Sequence, residues 1–258
     1  MTAPKLPSPM TAAFVHKLIR IEDHRMRSIQ LAHQLKRFPH QQAIDILSEM
    51  CQGCWHGHEA CKEIFLTFLD QEVVFEILGQ ELIAAYYRLA REQDLGFVAR
   101  LFLSLPPWQT CNDEEHPRGQ EEITLGEKKA LARSPHRATL QTLLSDRDGA
   151  VIRILLQNPK ITERDVLKIA SRRPVQVSIL KEIFRAHRWI RRYEVKKAII
   201  SNPYAPPGLT FGLIHFLKFQ DLEQIHQNTA CHPILRAAIF ELLNKKRELG
   251  RQWESMQS

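Results

Sequence analysis

The run CQGCWHGHEAC, from Cys51 to Cys61, gathers three thiols and two imidazoles within eleven residues. Cys51 and Cys54 stand three apart, His56 and His58 follow, and Cys61 closes the set. Thiolates and imidazoles this close, with Gly53 and Gly57 to allow a tight turn, suit zinc. Thiolates alone suit an iron–sulfur cluster. A second Cys-x-x-Cys pair is missing, and a fourth thiolate would have to come from the distant Cys111. Small sulfur side chains also pack well inside helices. Two expectations follow, structural thiols first and a metal site on Cys51, Cys54, Cys61, His56 and His58 second.

The other chemistry-bearing stretch is basic: Arg172, Arg173, Lys181, Arg185, Arg188, Arg191, Arg192, Lys196 and Lys197. A helix running on from Val177 would put Lys181, Arg185, Arg188, Arg192 and Lys196 on one stripe, because residues three and four apart share a helix face. Trp189 and Tyr193 are interleaved with it. Basic residues with aromatics hold nucleic-acid backbone and bases, yet no base-reading motif is present, and the two rings equally suit packing between helices.

Catalysis has no comparable signature. There is no glycine-rich phosphate loop, no Gly-x-Ser-x-Gly and no His-Glu-x-x-His. Glu22, Asp23 and His24 are adjacent on a predicted helix and point in different directions, so they read as a solvated face. The chain is expected not to be an enzyme.

The elements that position these residues are helices. The 258 residues are 44% hydrophobic and include only 10 glycines, and Leu, Ile, Ala, Arg, Lys, Glu and Gln dominate, a helix-favouring mixture. Helical spacing predicts one or two helices over 11–38, then 41–51, 58–69, 80–91 and 95–105, with Gly53 and Gly57 as breaks and Pro106-Pro107 as a stop. Residues 1–10 carry three prolines and no apolar run, and read as a disordered tail rather than a secretory signal. Residues 107–122 are polar and aperiodic and read as a linker. Charge changes there: up to Arg118, Lys and Arg number 12 against 15 Asp and Glu, and beyond it 24 against 14.

After that point the sequence repeats. EKKALARSP (127–135), VIRILLQNP (151–159) and VKKAIISNP (195–203) align, each with a basic third residue and a Ser-Pro or Asn-Pro ending. A residue before proline is pushed out of the helical region, so each helix stops there. Thr162 with Asp165, and Pro206-Pro207, then mark the next helix start. A fourth, degraded unit runs through Asn228, and the markers at 134, 158, 202 and 228 step by 24, 44 and 26. The last helix is expected to stop at Gly250.

The run VIRILLQNPKITERDVLKIASRRP resembles the leucine-rich repeat variant family, and more broadly the HEAT and armadillo helical repeats, over about residues 126–243. The resemblance implies an all-α protein whose second half (123–250) is an α-solenoid of short antiparallel helix pairs. A smaller N-terminal helical domain (11–106) precedes it and a short tail (251–258) follows it. Members of that family can carry an iron–sulfur cluster near the N-terminus, which bears on Cys51, Cys54 and Cys61. Such stacks present long surfaces for extended partners.

The leading expectation is therefore a non-catalytic scaffold that binds another protein through Arg172, Arg173, Lys181, Arg185, Arg188, Arg191, Arg192 and Lys196. A nucleic-acid-binding module and a metal or cluster-bearing sensor are the alternatives. No stretch nears the roughly 18–20 apolar residues that span a bilayer. The odd, low cysteine count favours a reducing compartment, so a soluble, cytoplasmic protein is expected.

Overall fold

The structure, a computed structural model, describes residues 7–111 and 123–255. Among the described residues it is all-helical, with no strand. The chain divides into two compact units, one made of residues 1–106 with 207–258 and the other of residues 107–206.

The first unit opens with α1 (Pro9–Ile19) and α2 (His24–Arg37), capped by Ser8 and Asp23. The Asp23 side chain accepts the Met26 N–H at 2.7 Å, a helix-start role that accounts for the acidic residue before His24. Pro9 and Met10 are already helical rather than part of a tail. α3 (His40–Trp55) and α4 (Glu59–Phe68) follow, then α5 (Gln71–Leu78), α6 (Gln80–Glu92) and the single turn α7 (Gly96–Ala99), which tightens into a 3₁₀ turn, Arg100–Phe102. The chain is extended from Leu103, before the proline pair that was expected to end this helix.

Two details of this half departed from the sequence pattern. α5 was not anticipated. Gly53 does not break α3, which runs four residues past Cys51, because Cys61 packs directly on the glycine: a Cβ at Gly53 would lie 2.7 Å from the Cys61 sulfur. Gly57, at φ +85°, is the true exit, a left-handed conformation suited to glycine.

The end of the chain completes the same unit. α15 (Pro207–Leu213) and the turn Ile214–Phe216 pack against Arg100–Phe102 and α3, followed by α16 (Phe219–Gln227) and α17 (Pro233–Ser255). The glycines of α15 permit this approach: Leu69 lies on Gly212 where any Cβ would collide, and Gln71 donates to the Leu101 and Gly208 carbonyls at 2.8 and 3.3 Å. Phe65, Phe68, Tyr86, Phe102, Phe211 and Leu213 lie in the shared core. The fourth sequence unit, around Asn228, therefore belongs with the N-terminal helices, where the sequence had assigned everything from 123 to 250 to one repeat domain. α17 runs through Gly250 to Ser255 instead of stopping at the glycine.

The second unit holds seven helices among its described residues: α8 (Leu125–Leu131), α9 (Arg137–Leu143), α10 (Gly149–Gln157), α11 (Glu163–Ala170), α12 (Val177–Arg185), α13 (His187–Ile190) and α14 (Tyr193–Ile200). Most of the predicted linker, 112–122, lies outside the described residues. α10 packs on α8 and α12, and α11 packs on α14, so helices two or three apart in the chain are neighbours. Val151, Ile152, Leu155, Val166, Ile169, Ile179, Ile183, Val195 and Ile199 fill the space between them.

Polar side chains mark the same spacing. A helix leaves its last carbonyls without partners, and here those at the ends of α8, α9, α10 and α11 are met by side chains from two or three helices further on. The buried Asn158 amide, after α10, donates to Ala132 and Ser134 carbonyls after α8, both at 2.9 Å. Arg172, after α11, donates to Leu144 and Asp146 carbonyls after α9. Trp189 of α13 donates to Leu156 of α10 at 2.8 Å. Asn202, after α14, donates to Ala170 and Arg172 after α11, at 2.7 and 3.0 Å. Each asparagine also accepts an N–H two residues on, from Lys160 or Tyr204, which shapes the Asn-Pro turn.

Candidate functional site

The basic stretch does not form one stripe. Ala186 is non-helical and Arg192 is extended, so the segment breaks into three helices and the expected register is lost. The break follows from Trp189, which turns inward to reach Leu156 and is 3% exposed. Lys196 leaves the surface altogether: it is 6% exposed and its Nζ donates to the Ile190 and Arg191 carbonyls, both at 2.9 Å, closing the end of α13. Arg172 is half-buried on the carbonyls after α9, and Arg173 donates to the Ser201 carbonyl at 2.7 Å.

Arg185, Arg188, Arg191 and Arg192 remain exposed, and Lys181 is half-buried. Arg188 lies over the Trp189 ring with its guanidinium carbon 4.5 Å from the centroid. Arg185 is 3.5 Å from Glu182 and Arg192 is 3.9 Å from Glu163.

Lys and Arg outnumber Asp and Glu in this unit, 19 against 12 over residues 107–206, and the excess lies from Ile123 to Pro206, where there are 18 against 7. Six of the seven carboxylates between Ile123 and Pro206 are engaged with neighbours, and Glu194 is exposed. Glu182 meets Arg153 at 2.6 Å as well as Arg185, Asp146 meets Lys128 at 3.1 Å, and Glu127 and Asp148 cap α8 and α10. Asp165 is buried, which alone would raise its pKa. Hydrogen bonds from Arg137 and from the Thr162 hydroxyl and N–H outweigh that and bring it to about 2.

A cleft of about 500 Å³ in the same unit brings together Arg172, Arg173 and a third arginine that the sequence reading missed, Arg147. Arg147 lies 25 residues before Arg172, too far for any local spacing rule. The signal for it was the repeat itself, which places the turns after α9 and α11 in equivalent positions.

The three nearby thiols Cys51, Cys54 and Cys61 are packed inside the first unit. Cys51 and Cys54 are buried in α3, and Cys61 is buried against Gly53. Burial pushes all three thiols above their ordinary pKa; for Cys54 the neighbouring Cys51 and Cys61 add to the shift, and for Cys61 Glu49 does. That favours the neutral thiol. Among the described residues no group of three or more His, Cys, Asp and Glu side chains is placed to hold a metal ion, so Cys51, Cys54, Cys61, His56 and His58 do not converge as a zinc or cluster site would need.

The first unit has its own polar centre at His215. This ring is 1% exposed, accepts the Trp55 indole N–H on Nδ1 at 2.6 Å, and contacts Phe65 and Phe97. Burial, then Lys246 and Arg100, drive its pKa down to about 3, so it is a neutral acceptor. Trp55 and Phe97 also line a cleft of about 370 Å³, where Lys245 lies over Phe97 and Glu241 accepts from Arg100.

No family model, curated protein or solved structure matches the chain. No helix among the described residues is long and apolar enough to cross a membrane.

Proposed function

We propose that this chain is a non-catalytic scaffold whose second unit is a short α-solenoid of stacked helix pairs, of the HEAT-like or leucine-rich repeat variant kind, presenting a basic surface to an acidic protein partner. One observation carries the reading: the ends of α8, α9, α10 and α11 are each met by a side chain from two or three helices further along the chain, through Asn158, Arg172, Trp189 and Asn202. That is the pattern of pairs that depend on their successors, and stacked pairs of this type serve as binding surfaces.

The arginine surplus names the partner's charge. Arg188, Arg191 and Arg192 are exposed, and six of the seven acids from Ile123 to Pro206 are committed to pairs and caps. A protein is favoured over nucleic acid because Trp189, the indole within the basic stretch, is buried and bonded, so it offers no platform for a base. The free thiols, four of the five buried, suit a cytoplasmic setting.

The test is charge reversal at Arg188 and Arg192 in the full chain. A protein partner recovered with the wild type is lost with R188E/R192E while the melting temperature is kept. Retention of the partner by the reversed chain, or uniform salt-sensitive binding to any nucleic acid, argues against the reading.

A further inference from the structure

The cleft in the second unit is lined by Arg147, Arg172 and Arg173 together with Ser145, Tyr204 and Cys111. Two of its guanidinium groups are fixed in place by neutral acceptors. Arg172 donates to Leu144 and Asp146 carbonyls at 3.2 and 3.0 Å, and Arg173 to the Ser201 carbonyl at 2.7 Å. Backbone carbonyls orient these cations without cancelling their charge. Arg147 is exposed, and among the described residues none of the three is bonded to a carboxylate. Asp146 lies near Arg172, but its carboxylate is engaged by Lys128 at 3.1 Å and by the Asp148 N–H at 2.8 Å.

Such an arrangement holds like charges together. Burial and then the charge of Arg147 lower the pKa of Arg172. An oxyanion entering between the guanidinium groups relieves that repulsion and gains charge-assisted hydrogen bonds, for which the planar arginine fork is the best donor. The volume, about 500 Å³, is several times that of a phosphate and leaves space for the group that carries it. The only aromatic ring among the lining residues is that of Tyr204, so there is no aromatic pair to clamp a nucleobase; the Tyr204 hydroxyl is a further polar group of the wall, while the Ser145 hydroxyl donates to the Thr142 carbonyl at 3.0 Å.

We propose that this cleft receives the phosphoryl group of a phosphorylated side chain on a partner protein, Arg147, Arg172 and Arg173 forming the anion-binding wall. The proposal rests on the reading of the unit as a protein-binding surface and names the group that surface selects.

Cys111 makes the test local. It is half-exposed in the cleft wall, while Cys51, Cys54, Cys61 and Cys231 are buried, so a thiol reagent reacts first at Cys111. The full chain is labelled with and without an alanine-based peptide carrying one central phosphoserine, its serine form, its glutamate form, and a nucleoside monophosphate. The phosphopeptide is expected to slow labelling and to bind at least about tenfold tighter than the serine form. R147Q, which removes an exposed side chain, is expected to weaken that binding by about tenfold with an unchanged melting temperature.

Equal binding of the phosphorylated and serine peptides, an R147Q chain that binds as well as the wild type, or stronger protection by the nucleotide overturns the proposal. If the phosphopeptide has no advantage while R188E/R192E still loses an acidic partner, the cleft assignment falls and the wider surface reading stands. If R188E/R192E retains every partner as well, both fall.

Discussion

The side-chain amide of Asn202 donates to the carbonyl of Ala170, 32 residues earlier, at 2.7 Å. Asn158 does the same to Ala132 across 26 residues. In each case an Asn-Pro turn that ends one helix also closes the end of another, so local and long-range structure depend on the same residue. Asn158→Ala and Asn202→Ala each leave two carbonyls without that donor, and an unsatisfied buried polar group costs about 1–3 kcal/mol. Chemical denaturation should show a loss of that size for either variant. A change below about 0.5 kcal/mol would mean the caps do not bind the pairs together.

Trp189 provides an independent check on the same relationship. Trp189→Phe keeps an apolar ring but removes the N–H that meets the Leu156 carbonyl. Loss of the bond together with ring volume is expected to cost about 1–3 kcal/mol. Unfolding midpoints equal to wild type would place the indole outside the packing scheme.

Gly53→Ala tests the contact between α3 and α4. The added methyl meets the Cys61 sulfur at 2.7 Å, so the helix-favouring change should destabilise instead of stabilise, by about 1–3 kcal/mol. The double variant Gly53→Ala with Cys61→Gly should recover part of the loss. Stabilisation by Gly53→Ala alone would contradict this packing of the two helices.

His215 sets an acid limit. Its folded pKa, about 3, lies below the ordinary 6.5, so the unfolded chain binds the extra proton first. Stability is fully present above pH 6.5 and declines as pH falls from there toward 3, by up to about 5 kcal/mol from this group. Denaturation midpoints across pH 4–7 should fall with acid, and His215→Gln, which keeps an acceptor for Trp55 without titrating there, should flatten the decline. An identical slope in the variant would assign the acid sensitivity elsewhere.

The helical character of the chain, the Asn-Pro exits and the Thr162–Asp165 capping box were legible because each depends on neighbours within four residues. The fate of Gly53 was not, since what admits a glycine inside α3 is Cys61 on another helix. The basic stripe failed for a similar reason: Trp189 and Lys196 are drawn inward by carbonyls of residues 156, 190 and 191, and no helical wheel contains that information. The return of residues 207–258 to the first unit was equally hidden, because Gly208 and Gly212 signal a close approach without naming Gln71 or Leu69 as its target. Arg147 joined the arginine cleft by the same kind of distant encounter.

The most direct measurement on the central claim compares the proteins retained from nuclease-treated native extract by the wild-type chain and by R188E/R192E, at low and high salt. The account predicts a specific protein that survives nuclease treatment, weakens with salt and is lost on charge reversal. Retention that disappears with nuclease, or that the reversed chain keeps unchanged, would contradict it.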